Sequence, residues 1–97
     1  MSVEQLTAEE RDSWRSGLKG WTLTREGKAI ERKFEFADFS EAFAFMTRVA
    51  MIAESRDHHP EWFNVYNRVE VTLTTHDADG LSLRDVKMAR KIDALLA

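Results

Sequence analysis

Along the chain, stretches whose apolar residues recur every three or four positions alternate with stretches where they recur every second position, and these two periods predict the elements. Thr7-Ala8-Glu9-Glu10 has the form of a capping box, and Trp14 and Leu18 lie one turn apart, so a short helix is expected to stop around Gly17 to Gly20. From Trp21 the period becomes two. Trp21, Leu23 and Arg25 share one face, Glu26-Gly27-Lys28 supplies a turn, and Ile30, Phe34 and Phe36 alternate with Glu31, Lys33 and Glu35, which reads as a hairpin with one buried face. Asp38-Phe39-Ser40-Glu41 is a second capping box and opens the strongest helix, with Phe39, Ala42, Phe43, Met46, Val49, Ala50 and Ala53 as its apolar stripe. Phe45 and Ile52 fall off that stripe as a second apolar edge, which either meets another subunit or packs beneath a loop of the same one.

Past Pro60, Trp62 to Tyr66 and Val69 to Thr75 alternate around Asn67-Arg68, a second hairpin with Val69, Val71 and Leu73 inward. Asp77 to Gly80 reads as a loop, and Ser82 to Asp85 as a weaker capping box before a last helix that carries Leu83, Val86, Ala89 or Arg90, and Ile92 to Leu96. The order is α-β-β-α-β-β-α. Two hairpins joined by a helix favour an α+β two-layer sandwich, a four-stranded antiparallel sheet with helices on one face.

At 97 residues, 43% hydrophobic and 32% charged, the chain is expected to form one domain over 1–97 that buries a core without metal or disulfide staples. Its 14 basic and 17 acidic residues give a net charge of -3, and the basic ones form no run, which argues against nucleic acid as a ligand. The lack of cysteine excludes disulfides, thiolate catalysis and cysteine-based metal sites. Met1 to Arg11 has no apolar signal core, and the most apolar stretch, Phe43 to Ala53, is interrupted by Arg48; a soluble, cytoplasmic protein without membrane segments is expected.

The chemistry-bearing residues cluster. All three histidines, His58, His59 and His76, lie close in sequence to Glu54, Asp57 and Asp85. Pro60 pushes His59 out of the helical region, so the main helix must end near the pair, and His76 falls at a strand end. Polar loops held between rigid elements often carry function, and histidine with carboxylates beside it suits proton transfer in both directions. Such loop and strand-end positions are expected to contribute little to the core, so His58 or His76 should be replaceable by alanine without loss of folding. Asp85 can cap its helix, orient a histidine, or do both; Glu54 at a helix end could simply be solvated. Trp21 and Trp62 could stack on a flat ligand, though their strand positions favour packing. A zinc or iron site is the rival chemistry, but neighbouring residues of an extended segment point in opposite directions, and there is no HxH or HExxH spacing.

The run Glu54-Ser55-Arg56-Asp57-His58-His59-Pro60-Glu61-Trp62-Phe63-Asn64-Val65-Tyr66, followed by His76 and Asp85, resembles the signature of the pterin-4a-carbinolamine dehydratases. The similarity extends to Phe43 through Ala50 and to Gly80 through Asp85, and so spans nearly the whole chain. This resemblance implies a four-stranded antiparallel sheet with helices on one side, assembly as a homodimer or homotetramer, and no metal or organic cofactor. It implies as substrate the carbinolamine that a pterin-dependent aromatic amino acid hydroxylase leaves behind, dehydrated to the quinonoid dihydropterin. By the same resemblance His58 and His76 exchange protons with the substrate, while His59 holds the pterin. Asp57, with Thr74, Thr75, His76 and Asp77, lines the pocket, and Glu54 and Asp85 fix histidine tautomers. Animal members of the family also serve as dimerisation cofactors for a homeodomain transcription factor, so a protein-binding module on the same scaffold is the alternative.

Overall fold

Three N-caps punctuate the chain. Thr7 accepts from the Glu10 N–H at 3.1 Å and starts helix α1 (Ala8–Arg15), Asp38 accepts from the Glu41 N–H at 2.8 Å and starts α2 (Phe39–Arg56), and Ser82 starts α3 (Leu83–Ala94). Strands β1 (Thr22–Thr24) and β2 (Ala29–Glu35) fall between the first two helices, and β3 (Glu61–Val65) and β4 (Arg68–Leu73) between the last two. The structure, a computed structural model, describes residues 3–97. Its sheet is antiparallel throughout, in spatial order β1-β2-β4-β3, and the helices cover one face: an α+β two-layer sandwich in the expected element order.

Register decides the faces. Ile30 lies opposite Leu73, Phe34 opposite Val69 and Trp62 opposite Val71, so these alternate residues turn toward the helices while Glu31, Thr72 and Glu61 share the other face. Val69, Val71 and Leu73 are fully buried, as their period predicts. They form one apolar cluster with Ala42, Phe45, Val49 and Ala53 of α2 and Val86, Met88, Ala89 and Ile92 of α3. Trp21 is buried, donating from Nε1 to both carboxylate oxygens of Asp93, and Arg32 pairs with Asp93 at 2.7 Å; together they tie the first hairpin to α3.

Three expectations change. The buried face of α2 runs through Ala42, Phe45, Val49 and Ala53, with Ile52 packed against it, whereas Phe39, Phe43 and Ala50 of the expected stripe are exposed. Phe45 is chosen because its ring meets Phe34 of β2 and Phe36 just past its end at centroid distances of 4.7 and 4.9 Å. Arg25 does not continue the β1 face: with Glu26 it enters the left-handed region, which starts the turn and sends its side chain to Glu61. Helix α1 ends at Arg15, leaving Leu18 in the following turn, where it is nonetheless buried.

Candidate active site

The C-terminus of α2, the first residue of β3, the end of β4 and the N-terminus of α3 meet at one corner of the sandwich. They enclose an open cleft of ≈ 320 Å³ lined by Asp57, His58, His59, Glu61, Thr72, Thr74, Thr75, His76, Asp77 and Arg84. All three histidines reach it, with three of the four other pocket positions anticipated from sequence on its rim and the fourth, Thr75, largely withdrawn into the wall.

His58 arrives there through the way α2 ends. Asp57 adopts the left-handed conformation that usually calls for glycine, its N–H bonds to Glu54 O and Ala53 O, and the His58 N–H returns to Ala53 O at 3.0 Å. The chain is thereby turned under the helix, and the imidazole is 8% exposed instead of lying on an open loop. Its Nε2 meets Asp85 Oδ1 at 2.6 Å, and Asp85 is wholly buried. The second oxygen, Oδ2, accepts from Thr75 Oγ1 at 2.7 Å and from the Ser82 N–H at 3.0 Å. Thr75 spends its one proton on Asp85, so the Ser82 hydroxyl must donate to Thr75 Oγ1 across 2.6 Å, while Ser82 Oγ accepts from the Arg84 N–H at 3.2 Å. Every donor in this buried chain has an acceptor. Asp85 therefore caps α3 and orients His58 at once. With Nε2–H held by Asp85, the lone pair is left on Nδ1.

The other two histidines are held more loosely. His59 Nε2 lies 2.9 Å from Glu54 Oε1 on the exposed end of α2, so Glu54 is a histidine partner and not a free surface acid. His76 opens a short 3-10 turn after β4, closed by paired backbone bonds between Thr75 and Gly80, and its side chain is 84% exposed. Its Nε2 is 3.6 Å from Glu61 Oε2, an electrostatic contact beyond hydrogen-bond reach. Glu61 in turn takes a bidentate grip from Arg25 at 2.6 and 3.0 Å, and this guanidinium, with His76 contributing less, holds its carboxyl below the usual glutamate range.

Glu61, Thr72, Arg84 and Ser82 are site residues that the sequence pattern does not single out. A faint signal exists for the first two, since Glu61 follows Pro60 directly and Thr72 sits in strand parity with Thr74. Ser82 is legible only as a cap. Trp21 and Trp62 belong to or pack against the core, and neither lines the cleft. Among the described residues no three His, Cys, Asp or Glu side chains are grouped to hold a metal ion, and no helix is long and apolar enough to cross a membrane. One expectation about the site is corrected: His58 is a buried, hydrogen-bonded residue, so its removal is not neutral for folding.

Comparison with known proteins bears on this geometry. The family described as pterin 4 alpha carbinolamine dehydratase matches residues 4–95. A relative from Novosphingobium aromaticivorans, provisionally named a pterin-4-alpha-carbinolamine dehydratase, is 62% identical over 99% of this chain and 100% of its own. One of the same provisional name from Burkholderia cenocepacia is 57% identical over 98% of this chain and 93% of its own. A crystal structure from Brucella melitensis, described as a transcriptional coactivator/pterin dehydratase, superposes with a TM-score of 0.93 at 49% identity, covering 97% of this chain and 100% of that one. A pterin dehydratase-like protein described as a RuBisCO assembly factor in the alpha-carboxysome shares the fold, with a TM-score of 0.69 at 22% identity over 78% of this chain and 88% of that one. With a family match spanning nearly every residue and relatives alike from end to end, this chain belongs to the pterin 4 alpha carbinolamine dehydratase family.

Proposed function

We propose that the protein dehydrates a 4a-hydroxytetrahydropterin to the quinonoid dihydropterin and water, recycling the pterin of an aromatic amino acid hydroxylase. The observation that carries this reading is the buried Asp85–His58 pair set into a cleft that also holds His59 and His76. In the reaction a ring nitrogen of the substrate loses a proton, its electron pair forms the new C–N double bond, and the C4a hydroxyl leaves with a proton as water. His58 suits the role of base: Asp85 holds the proton on Nε2, Nδ1 is left to accept, and the carboxylate lies where positive charge then develops. His76 suits the role of acid, exposed enough to meet the leaving hydroxyl and placed 3.6 Å from the Glu61 carboxylate. His59, steadied by Glu54, with Asp57, Thr74 and Asp77 at the rim, holds the ring; Thr75 acts through Asp85.

The protein is further proposed to work as a homodimer or homotetramer, because Phe39, Phe43 and Met51 leave an apolar strip exposed along α2. Stopped-flow absorbance of freshly made carbinolamine, with the spontaneous dehydration subtracted, tests the reading. Saturable acceleration by the intact protein is expected, and a rate indistinguishable from the spontaneous one would overturn it.

A further inference from the structure

Next to the cleft, and sharing His58 and Arg84 with it, lies a second groove of ≈ 400 Å³ lined by Arg56, His58, Leu83, Arg84 and Lys87. Three of its five lining side chains are cations and none is an acid, although the chain as a whole carries a net charge of -3. They come from two helices. Arg56 ends α2, while Arg84 and Lys87 stand three apart, on one side of the first turns of α3. Among the described residues no carboxylate lies within 4.0 Å of any of the three, so their charges are left for the groove.

Arg84 is also placed against local preference. The first turn of a helix carries the positive end of its dipole and favours an acid, so a cation there costs helix stability. Residues that break a local rule without a compensating partner within the fold are where function is expected. Two guanidinium groups and an ammonium turned into one groove form a receptor for anionic oxygens, since guanidinium bonds phosphate or carboxylate through two parallel N–H groups.

We propose that this groove binds an anionic terminus, a phosphate ester or a carboxylate, on the side chain of the pterin. The protein thereby selects charged-side-chain pterins over neutral polyol ones. This rests on the reading of the cleft as the pterin site: with the ring beside the histidines, a substituent running past His58 and Arg84 enters the groove, where Arg56 and Lys87 await it.

The test is equilibrium binding, so it does not depend on turnover. Stable dihydropterins with three side chains are titrated into the full-length protein: a neutral dihydroxypropyl chain, its phosphate ester, and a chain ending in glutamate. Inorganic phosphate alone is the fourth probe. At least one charged pterin should bind about tenfold tighter than the neutral one, the sum expected of three solvent-exposed ion contacts, and the preference should shrink as salt is raised. Which charged arm gains identifies phosphate or carboxylate as the source. In the double variant R56Q/K87Q, both positions being exposed and its folding checked by a thermal melt, the preference should fall to about twofold, the share of the one contact left at Arg84. Equal affinity for all three pterins in the unaltered protein would overturn the subsite while leaving the cleft reading intact. So would inorganic phosphate binding as tightly as the phosphorylated pterin, since the groove would then be an anion site without relation to the ring. Failure of every pterin to bind would overturn the cleft reading and this inference with it.

Discussion

Asp85→Asn keeps the size of the buried side chain and removes its charge, and the surrounding bonds dictate how the site responds. Thr75 Oγ1 and the Ser82 N–H both donate to Oδ2, so the amide oxygen must stay on that side and the new NH2 group faces His58 Nε2 across what was a 2.6 Å contact. Nε2 is then forced to accept, the ring proton moves to Nδ1, and the nitrogen left for the cleft donates where it should accept. Three bonds change from charge-assisted to neutral. With charged bonds at about 1.5–3 kcal/mol and neutral ones at about 0.5–1.5, the three together lose at most about 3–4.5 kcal/mol of stability, and less as the remaining contacts relax. The variant should stay folded while its rate falls about 10²- to 10⁴-fold, the range for loss of a general base. Asp85→Ala is less informative, because it strands the His58, Thr75 and Ser82 donors in a wholly buried site. At about 1–3 kcal/mol each this removes roughly 3–9 kcal/mol, a large share of a small domain's stability. Urea melts measure the first effect, stopped-flow dehydration the second, and 15N shifts of the His58 ring the tautomer. A folded Asp85→Asn protein with unchanged kcat, or with the His58 proton still on Nε2, would refute the reasoning.

The histidines should separate kinetically. His76→Ala, at an exposed position, should leave stability within about 0.5 kcal/mol while lowering kcat by up to about 10²-fold, and His59→Ala should raise KM more than it lowers kcat; identical kinetics for both would contradict the division of roles. Phe45→Ala should destabilise by about 3–5 kcal/mol in urea melts, whereas Phe43→Ala should leave the subunit fold nearly intact and lower the mass seen by light scattering; a protein already at 11.2 kDa without substitution would remove the basis for the second half. The Arg25 guanidinium holds the Glu61 carboxyl below its ordinary value of 4.5, and a carboxyl lowered by folding stabilises above that value and loses its contribution as pH falls through the folded one. Glu61→Gln should therefore cost stability at neutral pH and progressively less in acid, by a small amount because the pair is about half exposed; a wild-type-minus-variant difference that does not vary with pH would count against it. Activity should survive exhaustive chelation, because His58 and His59 each commit Nε2 to a carboxylate; loss on chelation with recovery on adding zinc or iron would point to metal chemistry instead.

Much of this protein is legible in its sequence alone. Element order, the antiparallel hairpins and the inward Val69, Val71 and Leu73 come from residue spacing, which acts locally and survives without knowledge of the partner. The caps at Thr7, Asp38 and Ser82 are equally local, and the gathering of His58, His59 and His76 with Glu54, Asp57 and Asp85 is visible as a cluster carried by a family resemblance.

What only the tertiary structure decided involves residues far apart in the chain. Helix α2 is apolar on more than one side, so period alone does not say whether Phe43 or Phe45 faces the sheet; the rings of Phe34 and Phe36 make that choice. The segment around His58 reads as an exposed loop because Pro60 ends the helix, yet a left-handed Asp57 turns it under α2 onto a carboxylate 27 residues away. Arg25 meets Glu61 across 36 residues, and the cations of α2 and α3 share a groove only because the two helices pack together. Spacing reports which face a residue occupies within its own element; which element it then meets depends on how the layers pack, and no local pattern encodes that.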